Sequence, residues 1–113
     1  MIIQILQIIA IIGTILVGLF SLFNPKKIEG FTGIKPMGAR GVVEVRSIFG
    51  AVFIGLGVSA LLLDPAVSYP FLGIVYLSIA AVRLISTILD RSFESSNLIS
   101  LGSEIVFGII MVF

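Results

Sequence analysis

The sequence predicts an all-α fold, an integral membrane four-helix bundle built as one domain over residues 1–113. Composition is the first reason: 58% of residues are hydrophobic and 12% charged, against roughly 45–50% and 25% in soluble domains, and the mean hydropathy is +1.27. A water-soluble domain of this length has no interior large enough for that much apolar surface. The second reason is four apolar runs close to the ~20 residues that carry a helix across a ~30 Å hydrocarbon core. The third is that charge gathers mainly between the runs.

The first run, residues 3–23, is interrupted only by Gln4, Gln7 and small residues. It reads as a mature helix rather than a signal peptide, because no basic residue precedes Pro25 and no small-residue cleavage site is evident. The connection NPKKIEGFTGIKPMGARG, residues 24–41, carries Pro25, Pro36 and four glycines, which forbid a continuous helix. The second helix, residues 43–63, is apolar after a charged opening, and DPAVSYP, residues 64–70, is a turn. The third helix, residues 71–89, is broken by Arg83. DRSFESSN, residues 90–97, offers Ser95, Ser96 or Asn97 as N-cap for a short fourth helix, residues 98–113, that carries Glu104.

The chain has no cysteine and no histidine, so disulfides, thiolate chemistry, the usual zinc sites and haem ligation through these residues are unavailable. No metal and no cofactor is expected, and no catalytic residue stands out. A net charge of +1 forms no basic field suited to nucleic acid. The partner the composition does call for is the lipid bilayer.

Lys26, Lys27, Lys35 and Arg40 lie in the first connection, Arg46 just inside the second helix, and Arg83 and Arg91 around the third connection. With four spans the first and third connections share a side. The positive-inside bias makes that side cytoplasmic, residues 24–42 and 90–97, and leaves both termini non-cytoplasmic.

Arg83 stands six residues before Leu89 and Glu104 six after Leu98, so at ~1.5 Å per residue each is about 9 Å inside the same boundary. Glu44 and Arg46 enter from that boundary on the second helix. Charges at membrane depth face the interior and pair, and arginine makes forked contacts with carboxylates. Glu44, Arg46, Arg83 and Glu104 are therefore expected to form one buried cluster, a clamp on helix register or a polar binding site. Asn97, Ser100, Glu104 and Gly108 share a face of the fourth helix, and Tyr76, Ala80, Arg83, Thr87 and Asp90 a face of the third. On the second helix, Ser47, Ala51, Gly55 and Ser59 form a small-residue stripe that predicts a close helix crossing.

An opening helix followed by NP, then GFTG, then an acidic-x-Arg pair leading into FGAVFIGLG, with an Arg late in the third helix and a Glu in the fourth, resembles a known family. These are the small bacterial four-helix membrane proteins catalogued as domain of unknown function 4345. The most specific stretch is EVRSIFGAVFIGLG, residues 44–57. The resemblance implies a compact four-helix bundle in a bacterial inner membrane, with Glu44, Arg46, Gly50, Gly55, Arg83 and Glu104 on the positions that carry the pattern, Gly50 joining the packing set. It implies no activity.

Three function classes follow from the residues. The first is a structural or accessory subunit that packs in a larger membrane assembly or forms a homo-oligomer. The second is a small-solute or proton and ion carrier using the Glu/Arg cluster. The third is a lipid- or quinone-binding membrane protein, or an enzyme on such a substrate. The short connections and the lack of a nucleophile or cofactor motif favour the first.

Overall fold

The computed structural model describes residues 1–113. Helix α1, Ile2–Phe23, is followed by a 3-10 turn, Pro25–Lys27, and the one-turn helix α2, Glu29–Thr32. Three long helices complete the chain: α3, Gly38–Leu62; α4, Pro65–Leu89; and α5, Ser95–Val112. The fold is all-α, and α1, α3, α4 and α5 are each long and apolar enough to cross a membrane. Only 20 of 113 residues are buried, so the outer faces, with Leu61, Ile74 and Ile85 at least half exposed, are matched to lipid rather than to water.

Three helix boundaries differ from those expected. Helix α3 begins at Gly38 rather than residue 43, because Pro36 and the extended Met37 end the preceding loop and Gly38, at φ 61, opens the helix. DPAVSYP is not a turn. Asp64 caps α4 by accepting from the Ala66 N–H at 3.1 Å, with Pro65 in the first helical position. Pro70 lies inside the helix, where its missing N–H leaves one carbonyl bond unmade. Helix α5 begins at Ser95 behind Glu94, which makes no side-chain capping bond, so none of Ser95, Ser96 and Asn97 is the N-cap.

Helix α1 packs on α3 and α4 on α5, and contacts of α3 with α4 and of α1 with α5 close the ring. The tightest approaches are made by glycine. A Cβ on Gly18 would lie 2.7 Å from the Gly50 carbonyl oxygen, and one on Gly73 would lie 2.9 Å from that of Gly108. Lipid gives helices no hydrophobic reason to associate, so backbone approach through small residues is what brings them into contact. Where all four helices meet, Ala10, Ile11, Ala60, Leu72, Tyr76 and Met111 form the core.

The stripe Ser47, Ala51, Gly55 and Ser59 does not make this crossing. All four residues are exposed, and nothing lies within 4 Å of a Cβ placed on Gly55. The inward face runs through Val45, Gly50, Gly57 and Ala60, with Phe53 half-buried between them. Two physical reasons account for the difference. A strict four-residue spacing drifts by ~40° per step on a 3.6-residue helix, whereas 50, 53, 57 and 60 alternate steps of three and four. In addition, Val45–Val52 is π-helical, and its wider i→i+5 winding brings Val45 and Gly50 toward one side.

Cross-helix hydrogen bonds fix which ends are neighbours. The Gln7 Nε2 donates to the Ile110 carbonyl at 3.1 Å, so both termini lie at one end. Helix α2 packs on α5, and the first and third connections share the other end.

Gly18→Ala is expected to destabilise the protein by ~1–3 kcal/mol, because the added methyl meets backbone atoms of Gly50 and Ile54 that cannot rotate away. Gly55→Ala is expected to be neutral or stabilising by up to ~1 kcal/mol, through helix propensity in open space. Thermal unfolding of both variants in one detergent checks the pair, and equal effects would contradict the assigned faces.

Candidate functional site

Helix α4 presents Tyr76, Ala80, Arg83 and Thr87 to its neighbours, with Asp90 exposed where the helix ends. Helix α5 answers with Asn97, Ser100, Glu104 and Gly108, all buried or half-buried. The two helices run antiparallel, which brings the late part of α4 beside the early part of α5. Arg83 and Glu104 thereby stand at the same level.

The Arg83 guanidinium makes a forked contact with the Glu104 carboxylate, Nε donating to Oε1 at 2.8 Å and Nη2 to Oε2 at 2.9 Å. Its Nη1 donates to Asn97 Oδ1 at 3.0 Å. Asn97 in turn donates through Nδ2 to Thr87 Oγ1 and to the Ser92 carbonyl, both at 2.8 Å. The chain Glu104–Arg83–Asn97–Thr87 therefore crosses three times between α4 and α5. It also ties both to the connection between them. The Glu104 side chain is 12% exposed and that of Arg83 33%, so the carboxylate is held inside while the guanidinium borders open space. Three of the five guanidinium N–H groups are taken by Glu104 and Asn97.

That open space is a cleft of about 740 Å³ lined by Arg83, Thr87, Asn97, Asp90 and the hydroxyls of Ser78, Ser86 and Ser92. No buried side-chain nitrogen or oxygen in the protein lacks a hydrogen-bond partner. At the cleft's mouth the Ser92 hydroxyl donates to the Glu94 carboxylate. This bond, with a backbone N–H, holds the Glu94 carboxyl below the usual carboxylate range.

Four charges were expected in one cluster, and the structure brings together two of them. Glu44 is exposed and pairs with Arg40, one turn earlier on α3. Arg46 Nε donates to the Leu22 carbonyl at 3.1 Å, satisfying one of the free carbonyls at the C-terminus of α1. The reason is rotational. Glu44 and Arg46 ride on α3, which packs chiefly on α1, so they cannot reach the interface between α4 and α5.

Sequence reading did not foresee two further polar ties. Thr14, in the middle of α1, donates to the Ala10 carbonyl at 2.8 Å. With its one proton so used, Thr14 Oγ1 accepts from the Tyr76 hydroxyl, which joins α1 to α4. The signal was present in the sequence, since an isolated Gln7 or Thr14 inside an apolar run needs an internal partner.

Arg83→Leu alone or Glu104→Leu alone leaves one charge of the pair without its partner, and each is expected to cost ~3 kcal/mol. The double variant is expected to be more stable than either single one. A four-corner thermal cycle in one detergent at fixed pH and salt measures the coupling, and additivity would mean that the contact contributes nothing.

No curated protein and no solved structure matches this chain. A family profile does match, over residues 2–113, and so spans nearly every residue described above, the α4–α5 network included. The chain belongs to that family, the Domain of unknown function (DUF4345).

Proposed function

We propose that the chain is a non-catalytic membrane module that packs laterally against other transmembrane helices, as an accessory subunit of a larger assembly or with its own copies. The observation that carries this reading is the outward face of α3. Ser47, Ala51, Gly55 and Ser59 lie exposed at four-residue spacing, with open space above Gly55. Small residues contribute to helix association when a second backbone closes on them and contribute almost nothing against lipid tails.

In the proposed orientation the first and third connections face the cytoplasm and both termini face away from it. Lys26, Lys27, Lys35, Arg40 and Arg91 all lie at the end shared by those two connections.

The chain contains no cysteine, so single cysteines are clean probes of both points. Gly55→Cys carrying a thiol-linked photo-crosslinker is expected to give a higher-mass product in native membranes, while Ile74→Cys, 60% exposed in the wild type on α4, gives none. Twice the chain mass identifies a second copy, and any other mass a different partner. Equal crosslinking at the two positions would overturn the reading. A membrane-impermeant thiol reagent outside intact cells is expected to label Phe113→Cys and not Lys35→Cys, and the reverse would overturn the orientation.

A second reading rests on the cleft beside Arg83, whose hydroxyls, carboxylate and guanidinium suit the polar head of a membrane-soluble ligand such as a lipid or quinone. On that reading, a lipophile that leaves the membrane with the wild-type protein is lost in Arg83→Lys, which keeps the charge and removes the fork. Retention of the same lipophile by the variant would contradict it.

A further inference from the structure

The first connection does more than carry positive charge. Pro25 and Ile28 are buried, α2 ends on Gly33 at φ 74, and a Cβ on Gly41 would lie only 3.0 Å from the Pro36 backbone. The segment is thus folded back tightly onto the start of α3. Between it and α3 lies a second cleft, of about 780 Å³, into whose walls Lys26, Lys35 and Arg46 converge from three different segments. Glu29 is the single carboxylate there. None of the three cations is engaged in an ion pair, since the salt bridges of the protein are Arg40–Glu44 and Arg83–Glu104.

Two more features define what would occupy this cleft. Gly38 and Ala39, at the N-terminus of α3, form part of its wall, and no side chain caps that helix end. Their backbone N–H groups and the positive end of the helix add to the attraction for an anion. Val42 and Val43 supply an apolar wall beside the cations. Charge for a headgroup next to hydrocarbon for the start of an acyl chain is the pattern of a basic pocket between membrane helices.

We propose that this cleft binds the phosphate of an anionic membrane lipid, with Lys26, Lys35 and Arg46 as its cationic contacts. Topology alone requires that positive residues lie on the correct side of the membrane and does not require a folded pocket. Here the tight turns at Gly33 and Gly38, with Gly41 packed on Pro36, aim charges from α1's end, the loop and α3 at one volume. Arg46 has its Nε on the Leu22 carbonyl, which fixes the guanidinium while leaving its two terminal nitrogens for the lipid.

The test is thermal unfolding of the purified full chain in maltoside micelles titrated with phosphatidylglycerol, with phosphatidylcholine or with inorganic phosphate. Phosphatidylglycerol is expected to raise the unfolding temperature saturably, and phosphatidylcholine and inorganic phosphate at the same concentrations to have no such effect. At ~1 kcal/mol per basic residue, the midpoint is expected to weaken about fivefold in Lys35→Gln and about thirtyfold in Lys26→Gln/Lys35→Gln. Lys27→Gln, an equal charge change on an exposed neighbour outside the cleft, is expected to leave it unchanged. Arg46 is kept intact because it also ties α3 to α1. Equal stabilisation by phosphatidylcholine, or equal weakening in Lys27→Gln and Lys35→Gln, overturns the site. Inorganic phosphate matching the lipid overturns the lipid assignment in favour of a free phosphate. If the double variant does not fold, the comparison of Lys35→Gln with Lys27→Gln decides.

Discussion

Close backbone approach at glycine is the constraint on which the architecture rests. In water, burying a leucine-rich face would drive the helices together. In hydrocarbon, lipid tails solvate that face as well as a neighbouring helix does. Association must then come from contacts that lipid cannot make, and here these are Gly18 against the Gly50 carbonyl and Gly73 against the Gly108 carbonyl. The first crossing sets α1 on α3 and the second sets α4 on α5. Once these two pairs are fixed, the shared core of Ala10, Ile11, Ala60, Leu72, Tyr76 and Met111 closes between them.

Polar side chains then fix register. Three ties join helices that glycine alone would let slide: Gln7 to the Ile110 carbonyl, Tyr76 to Thr14, and the network of Arg83, Glu104, Asn97 and Thr87. Each satisfies a group that lipid could not, so a slip along the helix axis strands a donor or an acceptor. The Arg83–Glu104 pair is the strongest of them geometrically, because a fork has one matching position. Its guanidinium, partly exposed, also borders the polar cleft.

The two ends of the molecule differ in kind. At the end holding the termini, the chain is almost wholly apolar and the helices are joined by the tight α3–α4 connection, where Ser68 donates to the Ala60 carbonyl. At the other end lie every lysine and arginine except Arg83, together with α2, the π-helical stretch of α3 and both polar clefts. A module that meets partners, lipid headgroups or ligands would do so at this end and along the outward face of α3.

Hydropathy and spacing along the chain established the solvent, the number of long helices and the common level of Arg83 and Glu104, though not which of the four expected charges meet. Each depends on quantities summed or spaced along the chain: hydropathy over some twenty residues, and the depth of Arg83 and Glu104 from their helix ends. The same spacing logic reached the inward faces of α4 and α5, because the polar residues there are few and sit at regular helical intervals. Rotation of α3 was decided only by tertiary structure. Gly55 and Gly57 are equivalent in a list of small residues, and which one turns inward depends on where α1 places Ile11 and Ile15 against it. For the same reason the position of Glu44 and Arg46 along α3 could be read but not the side they face. Depth is a one-dimensional property of the chain, whereas the partner of a charge is set by the angle at which its helix meets the next. The basic cleft of the first connection lay beyond sequence reading altogether, since its walls come from segments brought together by turns at Gly33 and Gly38 rather than by any local pattern.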